Sequence, residues 1–365
     1  MLMSGTPIGE NTRRVVEEVV RAAQAPGMVL AIARGQQPIG ILALGDDALG
    51  RPLAHDSLFP VASITKLATA LAVLRLAEDG ALALDDQLSE HLPEALAAQY
   101  GVTIRTLLCH TSGLPIDVAD ALAPYAPELD WPKLRAACLE TPLEAPPDTR
   151  VQYGNVGYGL LAALVERHTN KGFSDALHDL VLSPLGVEGY LGIEPPRAPA
   201  ALADVRGSQR GGALEPFNSA FWRSLALPWA GLLTTAEGAL ALVRAFQGQP
   251  AAFLRPQTRA EATRNQTGEL AGGFVKPLYW SPCPWGLGPD LRGNKTPHWA
   301  PAEAGPSSFG HSGASGCLAW AAPAAGVAWA MLGARTADSG WLLRRAPAIG
   351  AAIVEDRQDA APAGS

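Results

Sequence analysis

Apolar and polar positions along the 365-residue chain change period several times, and each change predicts an element. In NTRRVVEEVVRAA, residues 11–23, Val and Ala recur at helical spacing behind Asn11, the predicted N-cap of an opening helix. GMVLAIARGQQPIGILALGDD, residues 27–47, holds two apolar runs around Gly35-Gln36-Gln37 and predicts a hairpin. The run from Phe59 to Gly80 is too long for a strand and closes on glycine, so it predicts a helix starting at about Ser63. From 81 to 210 the pattern is helical and broken by Pro and Gly, and residues 194–216 read as a surface excursion over a cleft. A helix entered at Thr234 or Thr235 follows. Two strands joined at Pro323–Gly326, a last helix over 340–356 and a disordered tail, 357–365, complete the chain.

Strands near both ends with helices between predict an α+β protein with one sheet built from both termini and a helical insertion. The expected division is 1–80 with 211–356 for the sheet domain and 81–210 for the helical one.

Composition narrows the function. With 48% apolar and 17% charged residues the chain is globular, and its net charge of -7 leaves no basic excess for nucleic acid. No window approaches a membrane span. The start lacks the basic and apolar stretches of a secretory signal, so a cytoplasmic protein is expected. Cys109, Cys138, Cys283 and Cys317 are far apart and without metal-ligand spacing, so four thiols are expected, with no metal and no cofactor.

Three short patterns carry candidate chemistry. Lys66, one of only five lysines, lies three residues after Ser63 inside an apolar run. Residues at i and i+3 share a helix face, and burial lowers a lysine pKa, so this pair can make a nucleophile and its base. Tyr153 and Asn155 form Y-x-N ahead of an apolar helix; a tyrosine beside a buried cation ionises more easily, and the amide can hold a substrate or the lysine. FGHSGASG, residues 309–316, puts small residues before an apolar strand, where a backbone N–H can face an oxyanion. His110 and the Asp85-Asp86 pair read as helix caps, and Trp222, Trp229, Trp280 and Trp285 are candidates to line an acyl pocket.

In this order, S-x-x-K, Y-x-N and the small-residue strand make the chain resemble the serine β-lactamase and penicillin-binding superfamily. It is most similar to the branch of class C β-lactamases, class VIII carboxylesterases, D-aminopeptidases and DD-carboxypeptidases. LDDQLSEHLP, TIRTLLCHTSGLP, GLLTTAEGALAL and WGLG extend the likeness over residues 10–350. The resemblance implies an antiparallel sheet flanked by helices, with the site between it and an all-helical region. It implies that Ser63 is acylated, that Lys66 activates it and that Tyr153 moves protons. Asn155 would position the pair or the substrate, and the backbone N–H groups of Ser63 and Ala314 would form the oxyanion hole. The departure is His311-Ser312-Gly313 where the lactamase pattern is K-T-G: an imidazole meets a substrate carboxylate less well than a lysine does.

A serine hydrolase acting through an acyl-enzyme is therefore expected, an esterase on small or medium esters with weak or no β-lactamase activity. A D-amino-acid amidase, DD-peptidase or β-lactamase with the same residues is the alternative, and a catalytically idle scaffold the reading from another class. No G-x-S-x-G elbow is present to favour an α/β-hydrolase.

Overall fold

The computed structural model describes residues 8–22, 24–274 and 277–359. Its main sheet has six antiparallel strands: β1 (Gly27–Arg34), β2 (Gly40–Gly45), β3 (Asp290–Leu291), β4 (Phe309–Gly313), β5 (Cys317–Ala322) and β6 (Val327–Gly333). Their spatial order is β2-β1-β6-β5-β4-β3, so the N-terminal hairpin pairs directly with the last strand. The sheet is thus built from both ends of the chain, and the described residues between 46 and 289 contribute none of its strands.

Period-2 alternation sorts β1 between two cores. Met28, Leu30 and Ile32 join Trp320, Trp329 and Met331 on one face; Val29, Ala31 and Ala33 join Ala319, Ala321, Ala328 and Ala330 on the other. The large-residue face is covered by helices α1 (Glu10–Arg21) and α7 (Trp341–Asp359). The alanine face lets α6 (Ala236–Phe246) approach closely. Both faces are buried, which explains why these strands read as nearly continuous apolar runs.

Asn11 is not the cap of α1. The N-cap is Gly9, and Asp356 of α7 takes one orphan donor of the first turn, accepting from the Thr12 N–H at 2.9 Å. Asn11 instead donates to Glu355 at 2.9 Å. A carboxylate from a distant helix does the capping, as the positive helix end favours. The last helix also runs to Asp359, into the segment expected to be a disordered tail, whose remaining residues 360–365 lie outside the described ones.

The helical part is organised by α2 (Thr65–Glu78) and α5 (Val156–Thr169), whose middles are buried all round. Around them lie α3 (Ile104–Leu108) and α4 (Trp131–Glu140). Helices buried on every side lack an amphipathic stripe, so they read as plain apolar runs. The α2 helix begins two residues later than its sequence predicts. Phe59–Pro60 pairs with Leu233–Thr234 as a short strand, and residues 62–64 form a single 3-10 turn before Thr65. Among the described residues no helix is long and apolar enough to cross a membrane.

Candidate active site

Ser63 sits in that 3-10 turn rather than in the helix. Thr65 fastens the turn: its hydroxyl donates to the Ala62 carbonyl at 2.7 Å and accepts from the Leu232 N–H at 3.1 Å. Ala62 is held at φ 46°, a left-handed conformation that is strained for a residue with a side chain. The turn leaves Ser63 partly accessible while Lys66, at the start of α2, is fully buried.

Lys66 Nζ lies 3.3 Å from Ser63 Oγ, 2.7 Å from Asn155 Oδ1 and 3.2 Å from the Trp229 carbonyl. Burial pushes its pKa well below the ordinary 10.5, only partly offset by the charge of Asp117. A neutral amine has two N–H donors and one lone pair. Asn155 and Trp229 offer acceptors only, so they take both donors and leave the lone pair for the Ser63 hydroxyl proton.

Tyr153 and Asn155 are set by the strand-like segment before α5. Val151–Gln152 runs parallel to Gly272–Gly273, and the Tyr153 N–H donates to the Gly273 carbonyl at 3.0 Å. Lys66 Nζ is 4.7 Å from the Tyr153 ring centre. Tyr153 is nonetheless not the easily ionised phenol that a neighbouring cation would make. Burial raises its pKa, Ser63 eases it only in part, and Lys66 itself is driven towards neutrality. Among the described residues Ser63 is the only hydrogen-bonding neighbour that eases the Tyr153 hydroxyl, and the geometry between them is too loose to close a good hydrogen bond.

His110 was legible only as a cap, yet it forms a wall of the site. It follows α3 at φ 62° and is buried 4.7 Å from the Tyr153 ring and 4.9 Å, edge on, from Trp285. Its Nδ1 accepts from the Gly154 N–H at 3.3 Å, which places the imidazole proton on Nε2. Asp85 and Asp86 cap nothing in the helix after them, Leu88–His91, whose N-cap is Gln87. Asp85 pairs with Arg105, and Asp86 accepts from the Ala83 N–H at 2.7 Å.

The third pattern forms β4. Ser312 pairs with Leu318 and Gly313 with Cys317, and a Cβ on Gly313 would stand 2.3 Å from the Val61 carbonyl oxygen. The absent side chain lets β4 press against the turn carrying Ser63, with the exposed Ala314 next in line. His311 Nδ1 donates to the Ser312 carbonyl at 2.7 Å, leaving Nε2 as a buried acceptor. Burial, with Lys66 nearby, lowers its pKa to about 4. Ser63, Lys66, Tyr153, Asn155 and the His311–Ala314 segment thus converge between the sheet and the helical part.

Of the four candidate tryptophans, Trp285 stands at this wall, 5.8 Å from Tyr153 and 5.9 Å from His311. Trp229 contributes its carbonyl, whereas Trp222 packs on Phe217. Behind Trp285 lies a buried charge cluster that the sequence did not reveal. Lys295 pairs with Asp290, donates to the Pro284 carbonyl at 2.8 Å and lies 4.9 Å from the Trp285 ring centre. His298 meets the other Asp290 oxygen at 3.0 Å. Burial would raise the Asp290 pKa, but Lys295 and His298 outweigh it and hold the carboxyl at about 2.

The chain and its fold are similar to known proteins. A model of the Beta-lactamase family matches residues 12–351. The chain belongs to that family. Esterase EstB of Burkholderia gladioli is 31% identical over 288 residues, spanning 68% of this chain and 72% of the esterase. Penicillin-binding protein 4 of Amycolatopsis lactamdurans is 27% identical over 282 residues, 73% of this chain and 68% of that protein. A solved β-lactamase from Mycobacterium bovis superposes with a TM-score of 0.67 at 27% identity, covering 94% of this chain and 99% of the other.

Membership of the Beta-lactamase family makes the protein a serine hydrolase of the β-lactamase and penicillin-binding superfamily, and the antiparallel sheet flanked by helices is the fold expected of it. All four cysteines are free and buried; burial raises Cys109, at the end of α3, to about 11, so it is no nucleophile at neutral pH. Among the described residues no group of three or more His, Cys, Asp or Glu is placed to hold a metal ion. Asp117 escaped the sequence reading because it lies in a loop, 38 residues from the asparagine it touches.

Proposed function

We propose that the protein is a carboxylesterase acting on small or medium esters through a Ser63 acyl-enzyme. The observation that carries this reading is the Lys66 amine, buried towards neutrality, with both donors engaged and its lone pair left for Ser63 3.3 Å away. Lys66 takes the Ser63 hydroxyl proton as Oγ attacks the ester carbonyl carbon. The N–H groups of Ser63 and Ala314 hold the oxyanion of the tetrahedral intermediate. Its collapse breaks the bond to the leaving alkoxide, which is protonated through Tyr153, a phenol kept neutral by burial and so ready to donate; the Lys66 ammonium resupplies Tyr153. Water then attacks the acyl carbonyl, gives a proton to Lys66 and releases the acid, and Ser63 recovers its proton as it leaves.

Esters are favoured over β-lactams because β4 presents His311, neutral at pH 7, where a substrate carboxylate would need a cation. The test is the initial rate on p-nitrophenyl butyrate for wild type and Ser63→Ala. Turnover in wild type that falls by at least about 10⁴-fold in the variant supports the reading. Equal rates in both proteins would reject Ser63 as the nucleophile, and no turnover in wild type would reject the esterase assignment.

A further inference from the structure

A cavity of about 390 Å³ opens on the alanine face of the main sheet. The end of β1, the starts of β4 and β6, the end of α6 and the short helix Pro256–Ala262 enclose it. Its floor is apolar: Ala33, Phe246, Phe309 and Ala328 line it, and the two phenyl rings meet edge on with centres 6.5 Å apart. Phe309 opens β4 and Gly313 closes it. The cavity and the Ser63 turn therefore lie at opposite ends of that strand, about 13 Å apart along it.

The rim is cationic. Arg244 and Arg259 both border the cavity, with the amides of Gln247 and Gln249, and its lining contains no Asp or Glu. Among the described residues neither arginine forms an ion pair. Arg244 is half-buried, and its guanidinium donates to the Gly35 carbonyl at a long 3.4 Å. Burial lowers its pKa and no carboxylate offsets that cost. It stands in the last turn of α6, where the helix end offers only a fraction of a negative charge. Arg244 also borders a neighbouring hollow containing Glu188 and Glu237, yet it pairs with neither; Glu188 is held by Arg197.

Arg259 is packed in place as well. Gly248 follows α6 at φ 83°, and a Cβ there would collide with the Arg259 guanidinium, so the absent side chain lets that group settle against the turn beside the cavity. Two partly desolvated guanidiniums on one rim repel each other, and an anion placed at that rim turns the repulsion into attraction. Guanidinium meets carboxylate or phosphate through paired N–H donors, and the carboxamides can add neutral ones. A guest of water size takes about 30 Å³, so an inorganic ion would leave most of the space and the whole phenyl floor unused.

We propose that this cavity is a binding site for an amphiphilic organic anion, its carboxylate or phosphate head on Arg244 and Arg259 and its apolar chain on Phe246 and Phe309. The site asks nothing of Ser63 and stands apart from the esterase reading.

Calorimetric titration of the full chain tests it, with octanoate, octyl phosphate, 1-octanol, butyrate and inorganic phosphate as probes below their micelle and solubility limits. Octanoate or octyl phosphate is expected to bind at least about tenfold tighter than 1-octanol, and the tighter of the two identifies the head. Each should also exceed its short counterpart, butyrate or inorganic phosphate, by up to about fourfold for every methylene that reaches the floor. The double variant Arg244→Gln, Arg259→Gln should weaken binding of the preferred amphiphile by at least about tenfold, with urea unfolding showing that it folds. Arg259→Gln alone should weaken it in the same direction, and serves if the double variant does not fold. Equal affinity for 1-octanol, no gain from the chain, or no binding of either amphiphile overturns the inference. Undiminished affinity in a folded variant also overturns it, because the amphiphile would then sit elsewhere, the Ser63 site included.

Discussion

Replacing Lys66 by methionine should change how the stability of the protein depends on pH. In the unfolded chain the lysine holds its proton up to the ordinary 10.5, while in the folded protein burial lowers its pKa well below that. Between those two values the unfolded state binds one proton more than the native state. Wild-type stability therefore rises with pH in that window, by about 1.4 kcal/mol per unit, and falls by the same amount as pH drops from 10.5 towards the folded value. Methionine has no proton to bind, so its stability lacks this slope. A second, pH-independent change comes from the acceptors left behind: Asn155 Oδ1 and the Trp229 carbonyl each lose a donor, at about 1–3 kcal/mol apiece if they stay dry. Urea unfolding at pH 8, 9 and 10, read by tryptophan fluorescence, separates the two. The offset appears at pH 10, and the difference between variant and wild type then shifts in favour of the variant by about 1.4 kcal/mol for each unit of acidification. Cysteine and tyrosine titrations common to both proteins cancel in that difference. Parallel stability curves would refute the reasoning, because they would mean that Lys66 keeps its proton in the fold and cannot be the resting base. Esterase activity in the variant should fall by at least about 10²–10⁴-fold, the usual share of general base catalysis.

Two further outcomes are expected. Asp290→Asn removes the partner of the fully buried Lys295 and should cost about 3–5 kcal/mol in urea unfolding, the penalty for stranding a buried charge. In wild type the contribution of that carboxylate is complete above pH 3.8 and lost as pH falls through about 2, so a variant no more acid-resistant than wild type over that range would count against the pair. Gly313→Ala sets a methyl group 2.3 Å from the Val61 carbonyl and should force β4 away from the Ser63 turn, lowering kcat/KM on p-nitrophenyl butyrate by about 100-fold. A wild-type rate in that variant would mean the two segments need not touch.

Much of the fold was legible because its elements obey simple periods. The hairpin at residues 27–45 and the closing strands 317–333 showed as apolar runs bounded by Gly and Pro, and they are four consecutive strands of the sheet, running inward from its β2 edge. The misreadings lie at element ends. A cap can come from anywhere in the folded chain, and here the carboxylate of Asp356 does what Asn11 was expected to do. Likewise, pairing of Phe59–Pro60 with Leu233–Thr234 moved the start of α2 past Ser63 into a strained turn.

At the site, the sequence alone determined which residue types could carry acyl transfer, because Ser63 and Lys66 are neighbours along one local turn and Tyr153 and Asn155 share another. It could not say which groups would be charged. Ionisation depends on desolvation and on charges brought close by folding, and neither is a property of spacing. Tertiary structure alone buried Lys66 against the Trp229 carbonyl, raised the Tyr153 pKa instead of lowering it, and laid the Asp117 loop across Asn155. Local sequence chose the chemical groups; packing at a distance chose their protonation.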